Sequence, residues 1–484
     1  MLVALRSCIL ALAVCLLFGP IAKASSADQT VTFSRAANQA TETLLDVYYN
    51  GDGMWRSCNQ TSCKEANSDW GVDSATDSLY LRWVATHDPH IRAVMAQLLQ
   101  TAPNYPSPCG DTGCSSWSDT PEWDAVTLMR EYEVLGDPQA LSRAKAAFDY
   151  VEKSQTFSQG ACPSIRYQLP QPSEIDVKTL ETEANAIKAA ILLYRATNDR
   201  TYLESAQQRY ASAREYFLDA DVPLYTVHVR DNGVQCVQQA RRFFASVNGD
   251  MIWNGVALWH LTGDSTYYDE ALATARAVDT NLSDARGVFI DEPGENDVVE
   301  PLVEAMYDLA VNEQQPFARD WIFRNAAAAL SARAADGSFS RFFDGPAQRQ
   351  TSIWESNGGL ALEIAASALD PAATVPVADA WSEGKFVGPD LTTLPATIEI
   401  DGSGFALIGS IGKNCEKHHI RVLIDGTETF DQTGLWQNPS MPDDASVFFA
   451  WRWKTPGPHT ITLLPANPDE AGEGRLHLGT YVLK

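Results

Sequence analysis

The chain has few basic residues. Its 484 residues include 36 lysines and arginines against 62 aspartates and glutamates, which gives a formal net charge of −26. A charge of this sign repels the phosphates of nucleic acids and of anionic lipid surfaces. We therefore expect neither nucleic acid nor a membrane among the partners of the mature protein.

Several motifs that carry particular chemistries are also missing. The eight histidines are scattered, and none has the His-Glu-x-x-His spacing of a zinc site. The sequence has no glycine-rich phosphate loop with a lysine, and no Gly-x-Ser-x-Gly elbow in its helical part. These absences predict a protein that uses no metal and no cofactor.

Only one apolar run is long, and it lies at the N-terminus. It extends from Cys8 to Phe18, follows a single arginine, and precedes the small-residue site Ala22-Lys23-Ala24. This arrangement is typical of a cleaved signal peptide, here residues 1–24, and is too short for a comfortable membrane span. The sequence therefore predicts a secreted protein, either extracellular or periplasmic.

Seven cysteines follow the predicted signal peptide. Two pairs are five positions apart in loop-like sequence, namely Cys58 with Cys63 and Cys109 with Cys114. In an oxidising compartment such pairs predict two local disulfides. Cys162 and Cys236 are candidates for a third disulfide, and Cys415 is left over.

Most of the chain has helical periodicity, interrupted by similar turns. The turns in ATHDPH, VLGDPQ, ATNDRT and LTGDST each end one helical pattern and begin the next. The periodicity predicts about twelve helices, near 32–49, 74–86, 89–101, 121–135, 138–152, 179–196, 200–215, 245–261, 265–280, 297–312, 316–333 and 352–368. Six hairpins predict an (α/α)6 toroid over residues 30–370. An open solenoid is the alternative, although solenoid repeats are usually shorter and more uniform.

The pattern changes near residue 374. Segments such as ATIEIDGSGFALIGSIG and HIRVLIDGTETF alternate or are rich in β-branched residues, with Asp-Gly and Pro-Gly turns between them. We predict a β-sandwich over residues 376–484, with carbohydrate binding as one function. Trp436, Trp451 and Trp453 are candidates for its binding face, and packing against the toroid is the alternative for these side chains.

Acids and tryptophans gather where alternate predicted helices begin. In a toroid these helix starts share one rim. The helix dipole favours acids in the first turn, so many of them need only be structural. Capping does not explain the tryptophans, which offer flat faces for pyranose rings. The candidate sugar contacts are Trp70, Trp117, Trp123, Lys178, Asn248, Asp250, Trp253 and Trp354.

Glycoside cleavage needs two carboxyl groups, one to protonate the leaving oxygen and one to attack or to activate water. The rim offers several, among which Asp119 is the leading candidate and Glu122 and Glu183 are the next. A polysaccharide or oligosaccharide substrate is therefore the expected partner.

The stretch DTPEWDAVTLMREYEVLGDPQALSRAKAAFDYV resembles the active-site hairpin of glycoside hydrolase family 76, the α-1,6-mannanases. That family has Asp-Asp-x-x-Trp ahead of an Arg-x-Tyr-x-x-x-Gly-Asp turn. DWGVDSATDSLYLRW, KTLETEANAIKAAILLYRATND and NGDMIWNGVALWHLTGD are similar to its other inner helices. The resemblance implies an endo-acting α-glycosidase of mannanase type, with Asp119 as the nucleophile and Lys178 at the family's lysine.

The resemblance breaks at one position of the catalytic pair. The family's second aspartate, the acid/base, falls on Thr120, which cannot act as a general acid at neutral pH. A one-residue gap would instead place Asp119 at the second position and Ser118 at the first, and the pair would again be broken. The family's asparagine on the next inner helix is Glu183 here. We therefore expect Glu183 to replace the lost carboxyl group from across the cleft.

Two other functions fit parts of the sequence. A polysaccharide lyase would need a base and a charge-neutralising group, which Arg166, Tyr167, His228 and Arg230 offer. The acid-rich rim argues against the anionic substrate of a lyase. The other hypothesis is a glycan-binding protein without catalysis, because the adjacent pair of aspartates is broken.

Overall fold

The computed structural model describes residues 30–105, 119–154, 160–162, 177–238, 241–290, 297–348, 350–377, 381–411, 417–429, 433–436, 446–465 and 476–484. Within these ranges the chain forms twelve α-helices, as the periodicity predicts. They are α1 (Phe33–Thr43), α2 (Trp70–Thr86), α3 (Pro89–Thr101), α4 (Thr120–Leu135), α5 (Pro138–Ser154), α6 (Leu180–Thr197), α7 (Arg200–Phe217), α8 (Ala245–Thr262), α9 (Ser265–Asn281), α10 (Glu300–Val311), α11 (Pro316–Ser331) and α12 (Ile353–Leu369). A π-helical turn, Leu44–Tyr48, continues α1.

The four similar turns have the predicted cap chemistry. Each preceding helix ends on a residue with positive φ, and glycine fills this position twice because it adopts that conformation without strain, as at Gly136 (φ 68°) and Gly263 (φ 75°). The aspartate that follows accepts a backbone N–H from the first turn of the next helix at 2.8–3.0 Å. These aspartates are Asp88, Asp137, Asp199 and Asp264.

The helices form two concentric rings. The even-numbered helices contact one another in the closed order α2, α4, α6, α8, α10, α12 and back to α2, while the odd-numbered helices pack outside them. The inner helices are buried on all sides, as in α8 from Ala245 to Leu258. This closed ring confirms the predicted (α/α)6 toroid. All six inner helices begin at the same end, called here the rim.

Short strands and disulfides fasten the toroid. Strand β1 (Thr30–Thr32) pairs with β7 (Thr374–Pro376), so the first and last segments of the toroid meet. A small hairpin, β2 (Trp55–Arg56) and β3 (Glu65–Ala66), contains the Cys58–Cys63 disulfide. A sheet of β4 (Val177–Thr179), β5 (His228–Asp231) and β6 (Cys236–Gln238) lies at the start of α6, next to the Cys162–Cys236 disulfide. Cys109, Cys114 and Cys415 lie outside the described residues.

The C-terminal part is an antiparallel sheet domain. Its seven described strands are β8 (Lys385–Leu391), β9 (Ala396–Ile411), β10 (Lys417–Ile424), β11 (Thr427–Glu428), β12 (Thr433–Trp436), β13 (Ser446–Pro465) and β14 (Leu476–Leu483). The long strands β9 and β13 pair along most of their length, with a register shift between Arg452 and Gly457. Side chains from both halves, such as Ile400 and Phe405, share one core. The sheet therefore folds over itself into two layers.

The sheet domain packs directly on the toroid. Phe342 and Ile290 of the toroid form an apolar cluster with Trp381 and other residues of the sheet domain. At its edge, Asp344 accepts bonds from Arg286 (2.7 and 2.8 Å) and Arg452 (2.8 Å). This interface is both apolar and ion-paired.

Two of the tryptophans proposed for a binding face of the sheet domain, Trp451 and Trp453, are partly buried. Trp451 packs on both the sheet core and the interface cluster. Trp453 stacks on His459, with ring centroids 3.8 Å apart. Trp436 lies in β12. The contacts of Trp451 agree with the alternative that it packs against the toroid, and a binding role for this face stays a prediction.

Candidate active site

Asp119 occupies the start of the inner helix α4. Its carbonyl oxygen accepts the N–H groups of Glu122 and Trp123, each at 2.9 Å, so its backbone begins the helix. Its side chain makes no capping hydrogen bond. Pro121 in the first turn lacks an N–H and needs no partner there. The carboxyl group of Asp119 is thus left for another purpose.

The surroundings of Asp119 keep its proton affinity high. Burial raises the pKa of Asp119 to about 6, and the negative charge of Asp69 adds to the rise. The backbone N–H groups of Asp119 and Thr120 act in the opposite direction. Asp119 is nevertheless partly accessible to solvent. A carboxyl group that titrates near neutrality and remains accessible suits acid–base or nucleophilic work.

Three of the predicted tryptophans lie together at the rim. Trp70, Trp123 and Trp354 form one apolar cluster with Val298. The rings of Trp70 and Trp354 have centroids 5.5 Å apart. Trp123 and Trp354 are only 3% and 7% exposed, whereas Trp70 is partly open. This cluster, called here the tryptophan wall, lies one helical turn from Asp119, and Trp70 is its accessible edge.

Glu183 and Glu122 are gathered around an arginine of the outer ring. Arg209 on α7 donates to Glu183 Oε2 at 2.8 Å and to Glu152 at 2.5 Å. The charge of Glu122 also acts on this guanidinium. Both glutamates are fully buried. The structure therefore pairs Glu183 with Arg209, and the charge of Glu122 acts on the same guanidinium.

Lys178 stabilises a loop beside the three-stranded sheet of β4, β5 and β6. Its ammonium lies 3.0 Å from Asp231 Oδ2 and also donates to the carbonyl oxygen of Cys162. Although burial opposes it, the N–H groups of Ala161, Gly233 and Cys162, together with Lys178, lower the pKa of Asp231 to about 2. The fully buried Lys178 thus fixes the loop that carries the Cys162–Cys236 disulfide.

The predicted sugar contacts on α8 instead form contacts within the protein. The Asn248 side chain bonds both the N–H and the carbonyl of Tyr225. Asp250 pairs with Lys188 at 3.0 Å. Trp253 lies deeper, with the cationic groups of three residues within 5.1–5.5 Å of its ring, and these are Arg130, Lys188 and Arg195. Such cation–π contacts make Trp253 part of the barrel core.

Other predicted residues fall outside the described part of the chain or away from the rim tryptophans. Trp117, Arg166 and Tyr167 lie outside the described residues. His228 lies 3.9 Å from Glu181 at the start of α6, and Arg230 is exposed on β5.

A row of acids on α2 was not among the predicted site residues. Asp69, Asp73 and Asp77 are four positions apart, so they share one face of the helix. Asp69 accepts the N–H groups of Gly71 (2.8 Å) and Val72 (3.0 Å) and so begins α2 at Trp70, four residues before the predicted start. The spacing of four in DWGVDSATD was the available signal. Within the described ranges, no three or more His, Cys, Asp or Glu side chains are arranged to hold a metal ion.

Further acids surround a small cavity between α2, α3 and α4. Its volume is about 20 Å³, room for roughly one water molecule. Asp73, Asp124 and Glu131 line it, and Asp124 accepts hydrogen bonds from Tyr105 and from Ser68 (2.9 Å). Burial raises the pKa of all three carboxyl groups. Protonated acids are therefore part of the core beneath the rim.

We expect the protein to lose stability as the pH rises from about 5.5 to 8. Burial raises the pKa of Asp77, Asp124 and Asp284 to about 7, from an ordinary value of 3.8. Between the ordinary pKa and the raised one, the folded state binds more protons than the unfolded state. The stability that this proton binding contributes is therefore lost as the pH rises to about 7. At about 1.36 kcal/mol per pH unit, each group contributes at most about 2 kcal/mol over this range.

Urea unfolding at about pH 5.5 and at about pH 8 measures this effect. The midpoint should be lower at the higher pH, and D124N should flatten the dependence because it removes one titrating group. A midpoint that rises with pH would contradict the assignment of these acids as protonated.

A closed double ring of helices, with a carboxyl group and tryptophans where its inner helices begin, is the architecture of the toroid glycoside hydrolases. The family model of glycosyl hydrolase family 76 matches residues 32–366. The chain therefore belongs to glycosyl hydrolase family 76.

Solved structures have the same fold. An α-1,6-mannanase from a Salegentibacter species superposes with a TM-score of 0.62 at 17% identity, covering 70% of this chain and 100% of that one. A family 76 mannosidase from Bacteroides thetaiotaomicron gives 0.60 at 16% identity, covering 70% and 98%. Dfg5 from Chaetomium thermophilum, in complex with glucosamine, gives 0.57 at 14%, covering 72% and 92%. No curated protein sequence matches the chain significantly.

The described helices include none that is long and apolar enough to cross a membrane.

Proposed function

We propose that this protein is a secreted glycoside hydrolase that cleaves an α-1,6-mannan or a similar polysaccharide, with Asp119 as its principal carboxylate. The observation that carries the proposal is the partly accessible carboxyl group of Asp119, which does not cap α4 and lies one turn from the tryptophan wall. Sugars bind proteins by stacking on aromatic rings beside a few well-placed polar groups.

Relatives support the substrate class. An inactive variant of the Salegentibacter mannanase, with two consecutive aspartates replaced, is in complex with α-1,6-mannotetrose. The sequence resemblance to the family places Asp119 and Thr120 at its pair of aspartates. An oligosaccharide of mannose is therefore the first ligand to test.

The contacts of Glu183 argue for a structural role rather than the acid role expected from the sequence. Glu183 is fully buried and its Oε2 accepts from Arg209 at 2.8 Å, so its carboxyl group is engaged between two helices instead of facing the rim. Glu122 acts on the same guanidinium. We propose that both glutamates connect the inner and outer rings.

A glycan-binding protein without catalysis is the second candidate, because Thr120 replaces one aspartate of the family pair. Incubating the purified protein with a panel of polysaccharides, including α-1,6-mannan and a polyuronate, separates the alternatives. We expect new reducing ends from α-1,6-mannan. Binding of a glycan without product would indicate the binding protein, and absorbance of an unsaturated product from the polyuronate would indicate a lyase.

T120D is the matched variant for this panel, since it restores the family's adjacent pair. If the wild type binds glycan without cleaving it and T120D releases reducing ends, the loss at position 120 is what inactivated the site. Comparable product from both proteins would show that the chain obtains its second carboxyl group elsewhere.

A further inference from the structure

We propose that Asp69 supplies the second carboxyl group of this active site and gives its proton to the leaving oxygen while Asp119 acts at the sugar carbon. The inference rests on the proposed function. Thr120 has no acidic proton to offer at this position, and Glu183 and Glu122 are gathered around Arg209. Asp69 is the acid at the start of the neighbouring inner helix.

The hydrogen bonds of Asp69 leave one of its oxygens outside the helix cap. Oδ1 accepts both capping N–H groups, from Gly71 and Val72. The side chain is only partly buried, so it retains access to the rim. The cap thus fixes the orientation of the carboxyl group and leaves Oδ2 to carry a proton.

Contacts on both sides bring Asp69 to the tryptophan wall. The neighbouring Trp70 belongs to the cluster with Trp123 and Trp354. A Cβ atom added at Gly71 would lie 3.2 Å from both Asp69 Oδ1 and Trp354 Cβ. The lack of a side chain at Gly71 therefore allows Trp354 of α12 to approach the Asp69 carboxyl group closely.

A hydrogen bond joins the segment before α2 to the first turns of α4. Ser68 Oγ donates to Asp124 Oδ2 at 2.9 Å, and Asp124 lies on the same helix as Asp119. Helices that pack in contact have axes about 8–10 Å apart. The starts of α2 and α4 therefore lie side by side at the rim, and Trp70 and Trp123, which follow Asp69 and Asp119 in the sequence, share one cluster.

The electrostatics of the two acids couple their protonation. Burial raises the pKa of Asp69, against the N–H groups of Val72 and Gly71, and the charge of Asp69 raises the pKa of Asp119. Two neighbouring carboxyl groups resist double ionisation, so one keeps its proton while the other is charged. This is the state that cleavage of a glycoside requires.

The two residues then complete a balanced reaction. Asp119 attacks the anomeric carbon as the bond from that carbon to the glycosidic oxygen breaks, and the Asp69 proton moves to that oxygen. A water molecule next attacks the anomeric carbon and releases Asp119, while the Asp69 carboxylate takes a proton from the water. The net change is the addition of one water molecule across the linkage.

The test is D69N, because asparagine caps helices as well as aspartate and keeps Oδ1 as an acceptor. We expect hydrolysis of α-1,6-mannan to fall about 100- to 10,000-fold with an unchanged melting temperature. A dinitrophenyl glycoside of α-1,6-mannobiose needs no proton at its leaving group, so its initial burst should persist. Azide can replace water in the second step and needs no general base, so it should restore turnover of this dinitrophenyl substrate by D69N.

D88N is the matched control, since Asp88 caps the outer helix α3 with the same geometry, accepting the His90 N–H at 2.8 Å. It should remain fully active. Full activity of D69N on mannan would overturn the inference and leave the proposed function standing. An equal loss on both substrates without azide rescue would also overturn it and indicate a structural role. A wild-type protein that is inactive on every glycan would overturn both proposals.

Discussion

Replacing Asp119 by asparagine is expected to lower hydrolysis of the polysaccharide by at least about 1,000-fold. Asparagine has nearly the same shape and keeps the backbone that starts α4, but it can neither attack the anomeric carbon nor exchange a proton. Because the Asp119 side chain makes no capping bond, the melting temperature should not change. The measurement is the initial rate of reducing-end release by D119N and by the wild-type protein on α-1,6-mannan.

Asp137 provides the control at the other end of the same helical hairpin. It accepts the N–H of Gln139 at 2.9 Å and is partly exposed. D137N should keep the wild-type rate. If D119N keeps a rate within tenfold of the wild type, the catalytic carboxylates must be sought among the other acids of the rim.

Replacing Lys188 by methionine is expected to destabilise the protein by about 3–5 kcal/mol. Lys188 is buried on α6, with Asp250 at 3.0 Å and Glu304 at 2.7 Å. Although burial opposes it, these two acids raise the pKa of Lys188, so the side chain stays charged. Methionine fills a similar volume without the charge. It would leave Asp250 without its cation, and Arg130 alone would remain on Glu304.

Urea denaturation measures this loss, and an exposed pair is the matched control. Arg214 lies 2.9 Å from Glu270 with 48% of its side chain exposed. Replacing Arg214 by methionine should cost less than about 1 kcal/mol, because water screens such a pair. If the Lys188 variant also lowers the free energy of unfolding by less than about 1 kcal/mol, Asp250 and Glu304 must become neutral by binding protons.

The sequence was most informative where local chemistry decides the structure. Turns such as VLGDPQ contain both a residue suited to positive φ and an aspartate cap, so the helix pairs and the toroid followed from them. The periodicity places the start of α2 four residues late, because its first turn, WGVD, has no helical pattern of its own. This turn is helical because Asp69 caps it at the start of a largely buried helix.

The roles of the rim residues depended on contacts between distant parts of the chain. Glu183 meets Arg209 through the packing of an inner helix against an outer one, and periodicity does not specify such a pair. Trp253 and Asp250 follow Asn248 closely in sequence, but a helix rises 1.5 Å per residue. Trp253 therefore lies roughly 12 Å below the start of α8, in the barrel core rather than at the rim.

The pairing of β1 with β7 has a consequence for how the protein is made. Strand β1 and α1 are synthesised early, yet their partners are β7 and α12, more than 300 residues later. The first segment must therefore wait on the ribosome, with its apolar face uncovered, until the whole ring has emerged. A nascent chain from which α12 has not yet emerged would hold an open ring, and its uncovered apolar surface would be prone to aggregate.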